Sequence, residues 1–137
     1  MPPARPPRIL VVDDNEVLRA LLAQALEHGG YDVITAECGA AALEVAAADP
    51  PDLCLVDHVM PGMSGAELIA ALRTSPDPRL QAIPVIGFSG RDGAEEALLR
   101  AGAVMTLRKP LGEAPLLEAV RTVLPGGRSV ERSLAAG

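Results

Sequence analysis

Leu53-Cys54-Leu55-Val56-Asp57, followed at once by His58-Val59-Met60-Pro61-Gly62, decides the fold. Four apolar residues that stop on a carboxylate and break into a Pro-Gly turn predict a buried strand that delivers Asp57 to a rim. An isolated Asp in that place would merely cap the following turn. Its significance depends on what other strand ends bring to the same rim.

Working outward from this stretch, Arg8 to Val12 (RILVV) is a second β-branched apolar run, ending in Asp13-Asp14-Asn15, a strand that leads into a helix cap. Apolar residues at Val17, Leu18, Leu21, Leu22, Ala25 and Leu26 recur at helical spacing from Glu16 to His28, until Gly29-Gly30 stop them. Tyr31 to Ala36 predicts another strand, and Gly39 to Ala48 an Ala-rich helix closed by Asp49-Pro50-Pro51. Beyond the central turn, Ser64 can cap a helix with Leu68, Ile69 and Leu72 inward, ending before Ser75-Pro76-Asp77-Pro78. The remaining pattern predicts a strand over Ile83 to Ser89, a helix over Arg91 to Ala101, a strand over Ala103 to Leu107, and a helix from Glu113 to Leu124.

Strands alternating with helices imply a parallel sheet covered on both faces, with strands apolar throughout. Ligands of such sheets bind at the carboxyl ends of the strands. Asp13 and Asp14, Asp57, Ser89 and Lys109 all fall at those ends and are expected to converge.

Three carboxylates in one pocket repel each other unless a hard cation neutralises them. Magnesium suits the set, because it takes oxygen ligands and is commonly shared between carboxylates and phosphate oxygens. A Ser89 hydroxyl and a Lys109 ammonium would offset charge on a transferred phosphoryl group. Asp57 stands alone at a central strand end, whereas Asp13 and Asp14 form a pair suited to metal, so Asp57 is the expected nucleophile.

Composition narrows the alternatives. The 137 residues are 49% hydrophobic, enough for one domain with a real core. Twelve basic against 18 acidic residues give a net charge of -6, which argues against a phosphate-backbone footprint. Tyr31 and Phe88 are the aromatic residues, too few for base-stacking platforms. The apolar runs are far shorter than a bilayer requires and no signal-peptide core follows Met1, so a cytoplasmic location is expected. Cys38, in a helix-like stretch, and Cys54, within a strand, suggest packing rather than a disulfide framework. Residues 1–7 read as a Pro-rich extended arm, 8–124 as the domain and 125–137 as a loose tail.

The ordered set Ile9-Leu10-Val11-Val12-Asp13-Asp14-Asn15, Leu55-Val56-Asp57 with Met60-Pro61-Gly62-Met63-Ser64-Gly65, Phe88-Ser89-Gly90, and Lys109-Pro110 resembles the receiver domains of two-component response regulators, over about Arg8 to Leu124. The resemblance implies a CheY-like, flavodoxin-like (βα)5 three-layer sandwich with strand order 2-1-3-4-5. It implies that Asp57 takes a phosphoryl group from a sensor histidine kinase or histidine phosphotransfer protein and that the chain then switches conformation to control a partner. Asp14 would ligate Mg2+ directly and Asp13 through water, with Asp57 and the Val59 carbonyl also at the metal. Ser89 and Lys109 would contact the phosphoryl group, and the Lys109-Pro110 bond would be cis. The implied chemistry is autocatalytic phosphotransfer and autodephosphorylation, not turnover of a separate substrate.

One departure is plain. The family usually places Tyr or Phe three residues before the lysine as part of its switch; here Thr106 stands there. The expected consequence is that an aromatic toggle is absent or replaced. Arg91 and Val59 fall near the phosphoryl entrance, although Arg91 reads equally well as a solvated first-turn helix residue. His28 reads as a helix-dipole partner, His58 as pointing away from Asp57, and Glu95 and Glu96 as a solvated face.

Rival chemistries fit less well. A serine hydrolase would want G-x-S-x-G, but Gly87-Phe88-Ser89-Gly90 runs into Arg91 and no histidine follows Ser89. A haloacid-dehalogenase-like Mg2+-dependent phosphatase shares the residue types, but it places D-x-D after its first strand, unlike Asp13-Asp14. A binding-only pseudo-receiver would not need every acceptor residue. The stretch after Pro125 is too short for a DNA-binding motif. The chain therefore reads as a stand-alone receiver or a piece of a larger protein such as a hybrid kinase.

Overall fold

The computed structural model describes residues 5–124. The order of elements is β1 (Arg8–Val12), α1 (Glu16–His28), β2 (Asp32–Ala36), α2 (Gly39–Ala48), β3 (Leu53–Asp57), α3 (Gly65–Arg73), α4 (Pro78–Gln81), β4 (Val85–Ser89), α5 (Ala94–Ala101), β5 (Met105–Arg108) and α6 (Glu113–Val123). The strands form one parallel sheet in the order β2-β1-β3-β4-β5. This is the flavodoxin-like arrangement expected from the sequence, with β1 and β3 adjacent where the strand order reverses. The Pro-rich arm lies partly, and the segment from Pro125 onward wholly, outside the described residues.

Alternating side chains divide the core into two layers. Leu10, Val12, Cys54, Val56 and Val85 pack with Ala42, Ala46, Leu68, Ile69, Leu72 and Leu98 on one face. Ile9, Val11, Leu53, Leu55, Ile86 and Phe88 pack with Leu22, Leu26, Leu116 and Val120 on the other. Only the three inner strands are buried almost end to end. The outer strands β2 and β5 carry exposed or half-buried residues, among them Asp32, Thr35 and Arg108, so the expectation of uniformly apolar strands fails at the sheet edges.

Several boundaries differ from the sequence reading, each for a local reason. Pro84 has no N–H, and the fourth strand begins after it at Val85, although its carbonyl still accepts from Cys54 N at 3.0 Å. Asp77 caps a short helix that begins with Pro78, so the expected Ser-Pro-Asp-Pro loop contains α4. The α5 helix starts at Ala94, not Arg91, because Gly93 sits at φ +83° and interrupts the helical path. Gly102, at φ +123°, ends α5, and the chain regains an extended conformation only at Met105 rather than Ala103. Cys38 is the N-cap position of α2 rather than a residue within it.

Candidate functional site

The carboxyl ends of β1, β3, β4 and β5 converge as the sequence predicts. Asp57, the last residue of β3, is 3% exposed, and Asp13, immediately after β1, is 0% exposed. Ser89, which ends β4, is also buried, and Asp14 is exposed. One carboxylate oxygen from each of Asp13, Asp14 and Asp57 lies within 4.8 Å of the others. Lys109 Nζ stands 3.2 Å from Asp57 Oδ1 and 5.3 Å from the centre of the Phe88 ring, so an apolar floor and a carboxylate both hold the ammonium.

Asp13 is held at nearly every polar atom. Its N–H donates to Ala36 O at 3.2 Å, its Oδ1 accepts from Asn15 N at 3.0 Å, and its carbonyl accepts from Arg19 Nη1 at 2.7 Å. Its Oδ2, by contrast, is buried without a hydrogen-bond partner. Burial, reinforced by the Asp57 charge, raises the Asp13 pKa from 3.8 to about 6, against the opposing effects of the Asn15 amide and Lys109. A buried carboxylate oxygen with nothing to bind, on a residue grouped with two further acids, fits an oxygen-coordinated divalent cation.

The loops around the pocket are locally specified. Asn15 caps α1 by accepting from Leu18 N at 3.0 Å. Ser64 and Glu67 form a reciprocal capping box at α3. Gly65 allows α3 to press on the end of β3: a Cβ there would lie 2.5 Å from Asp57 O and 2.8 Å from His58 Cα. Ser89 Oγ accepts from Arg91 N at 3.0 Å, shaping the turn after β4. Lys109 N donates to Ser89 O at 3.0 Å, and the Lys109-Pro110 peptide bond is cis.

Val59 lies two residues beyond Asp57 and is 48% exposed. Together with His58, Ser64, exposed Arg91 and Asp92 it lines a cavity of about 380 Å3. Arg91 therefore belongs to a loop, which corrects its reading as a helix residue. His58 Nδ1 is buried and has no hydrogen-bond partner. Thr106 is half-buried on β5 opposite Gly87, in register two residues before the Ser89–Arg108 pair. Glu96 is solvated, but Glu95 pairs with Arg108 at 3.3 Å and has one buried oxygen, so only half of that expected solvated face is solvated. His28 lies in the last turn of α1 and also faces Glu113 at 3.5 Å.

Arg19 and the close approach at Gly65 carry no mark in the sequence. Six residues separate Arg19 from the carbonyl it binds, and on a helix that spacing reads as an ordinary surface cation. Gly65 was visible only as part of a turn, since its contact with Asp57 depends on the packing of α3.

Strand order and acidic rim together define a CheY-like α/β module. Residues 9–121 match the family described as Response regulator receiver domain, and the chain belongs to that family. It is 37% identical over 121 residues to Response regulator MprA of Mycolicibacterium vanbaalenii, an alignment covering 87% of this chain and 51% of that protein. Chemotaxis protein CheY4 of Vibrio cholerae superimposes with a TM-score of 0.81 at 28% identity, over 87% of this chain and 99% of that one. The receiver domain of a signal transduction histidine kinase from Syntrophus aciditrophicus gives 0.79 at 30% identity, covering 88% and 91%. The chain spans about half the length of the curated relatives it matches. Receiver domains are phosphoacceptor modules of two-component signalling rather than enzymes in general, and nothing in these likenesses favours the phosphatase reading. No helix among the described residues is long and apolar enough to cross a membrane.

Proposed function

We propose that residues 8–124 form a receiver domain in which Asp57 accepts the phosphoryl group, from a phosphohistidine on a sensor histidine kinase or histidine phosphotransfer protein in the cytoplasm. The observation that carries this reading is the buried Asp57 between Lys109 and two further acids, one of them with an orphaned oxygen. Asp13, Asp14, Asp57 and the Val59 carbonyl would hold Mg2+, which when bound offsets the negative charge of the carboxylates and the incoming phosphoryl oxygens.

A carboxylate oxygen of Asp57 attacks phosphorus as the P–N bond breaks, the bonding pair stays on the ring nitrogen, and the histidine departs as neutral imidazole with the proton its other nitrogen carries. Lys109, which stands beside Asp57, would pair with a phosphoryl oxygen. Ser89 Oγ accepts from the Arg91 amide and keeps its own hydrogen available to donate to another. Burial around Asp57 and Asp13 limits water near the acyl phosphate, while the more open side at Val59 and Arg91 leaves a path for slow autodephosphorylation. Movement of Ser89 would disturb the turn to Arg91 and so pass the change toward α5 and a downstream protein, without an aromatic ring at position 106. The same reading covers a stand-alone receiver and a receiver belonging to a larger signalling protein.

The test is phosphotransfer from purified phosphorylated histidine kinases, followed by borohydride reduction and peptide mass spectrometry. A single reduced carboxyl at Asp57 supports the reading. Modification at another residue, or repeated turnover of phosphorylated small molecules, overturns it.

A further inference from the structure

We infer that Arg19 is a positioning residue for the acidic site: by clamping the Asp13 carbonyl from α1, it sets the two β1-end carboxylates for Mg2+. The inference rests on the metal reading above and extends it to a residue outside the acidic cluster.

The geometry isolates the role. Asp13 follows β1 directly and begins the turn into α1, a place where a three-residue connection could adopt several peptide orientations. Its N–H is tied to β2 through Ala36 O, and its Oδ1 to the Asn15 amide. The remaining peptide group, the Asp13 carbonyl, is fixed by Arg19 Nη1 at 2.7 Å. That carbonyl belongs to the Asp13–Asp14 peptide, so its orientation also governs where Asp14 projects. With the guanidinium in place, the atom left over is Oδ2, buried and unpartnered, on a carboxylate that belongs to the acidic cluster. A hydrogen bond from a charged donor to a carbonyl is stronger than a neutral one, and its donor here lies on a helix already capped at Asn15. The clamp is therefore anchored in regular structure rather than in a loop.

Electrostatics and positioning predict opposite signs. A guanidinium near a cation site repels the cation, so charge alone would make Mg2+ bind more tightly once Arg19 is neutralised. Loss of positioning makes it bind more weakly, since removal of groups that orient metal ligands commonly costs 10–100-fold in affinity. The expected effect of Arg19→Gln is a rise of about tenfold in the Mg2+ dissociation constant, at the lower end of that range because the bond reaches the backbone and not the carboxylate. Arg19→Lys, which retains charge and one donor, is expected to fall between wild type and Arg19→Gln.

Calorimetric titration of the full chain with Mg2+, checked by amide NMR shifts of residues 13–15, reads this directly. Thermal unfolding in chelator establishes that each variant is folded. Weaker binding in Arg19→Gln, partly restored in Arg19→Lys, supports the inference; unchanged or tighter binding overturns it. Wild-type chain that binds no Mg2+ would instead overturn the metal reading. Should Arg19→Gln not fold, Arg19→Lys alone decides, and a dissociation constant equal to wild type's counts against the clamp.

Discussion

Replacing Asp13 by Asn should make the metal-free protein more stable at neutral pH while weakening its response to Mg2+. Asp13 is fully buried, and its pKa is raised from 3.8 to about 6, chiefly by desolvation. The folded chain thus holds this proton more tightly than the unfolded chain does. Its stabilising contribution is complete below about 3.8 and is lost as pH rises through about 6. At pH 7 the ionised form costs on the order of 3 kcal/mol relative to pH well below 3.8, taking 1.36 kcal/mol per pKa unit. Asn keeps an oxygen for the Asn15 amide but has no charge to bury. Urea unfolding of wild type and Asp13→Asn in chelator, from pH 4 to 8, should show a stability gap in favour of Asn that opens as pH rises toward 7. Added Mg2+ should stabilise wild type by more than it stabilises the variant. Equal stabilities at pH 7, or a gap that narrows with rising pH, would refute the reasoning.

Gly65→Ala puts a Cβ 2.5 Å from the Asp57 carbonyl, a backbone atom that cannot swing aside. It should destabilise by about 1–3 kcal/mol in denaturant unfolding and slow phosphoryl uptake. Lys109→Met should lower the rate of uptake by about a hundredfold at saturating Mg2+, measured with labelled phosphodonor. Because the variant removes a cation beside Asp57, its Mg2+ affinity should rise, not fall. Phe88→Ala, at a fully buried ring beneath Lys109, should cost about 3–5 kcal/mol by the same unfolding assay. In a beryllofluoride complex, the Thr106 side chain should keep its rotamer, as NMR couplings of its methyl group can report.

The inner sheet was legible because β1, β3 and β4 are buried on both faces, and burial writes itself into composition as runs such as Ile9–Val12 and Leu53–Val56. The acidic rim followed, since each candidate residue stands where such a run ends. Edges were harder. Arg108 belongs to β5 although it is charged, because an outer strand needs partners on one side only. The α5 start was hidden by Arg91 and Asp92, whose helix-like character yields to the left-handed Gly93. Short α4 depended on Asp77 capping a Pro-led turn, a combination that reads equally well as a loop. The contact of Arg19 with the Asp13 carbonyl, from a helix back to the preceding strand end, left no trace in the hydrophobic spacing.

The central claim is that one carboxylate, supported by a lysine and a divalent ion, carries the phosphoryl group. It is tested most directly by following incorporation of labelled phosphate into wild type and Asp57→Asn, each with Mg2+ and with chelator. Incorporation in wild type with Mg2+ alone, and none in the other three conditions, is the predicted result. Labelling of Asp57→Asn at the wild-type rate, or uptake indifferent to Mg2+, would contradict it.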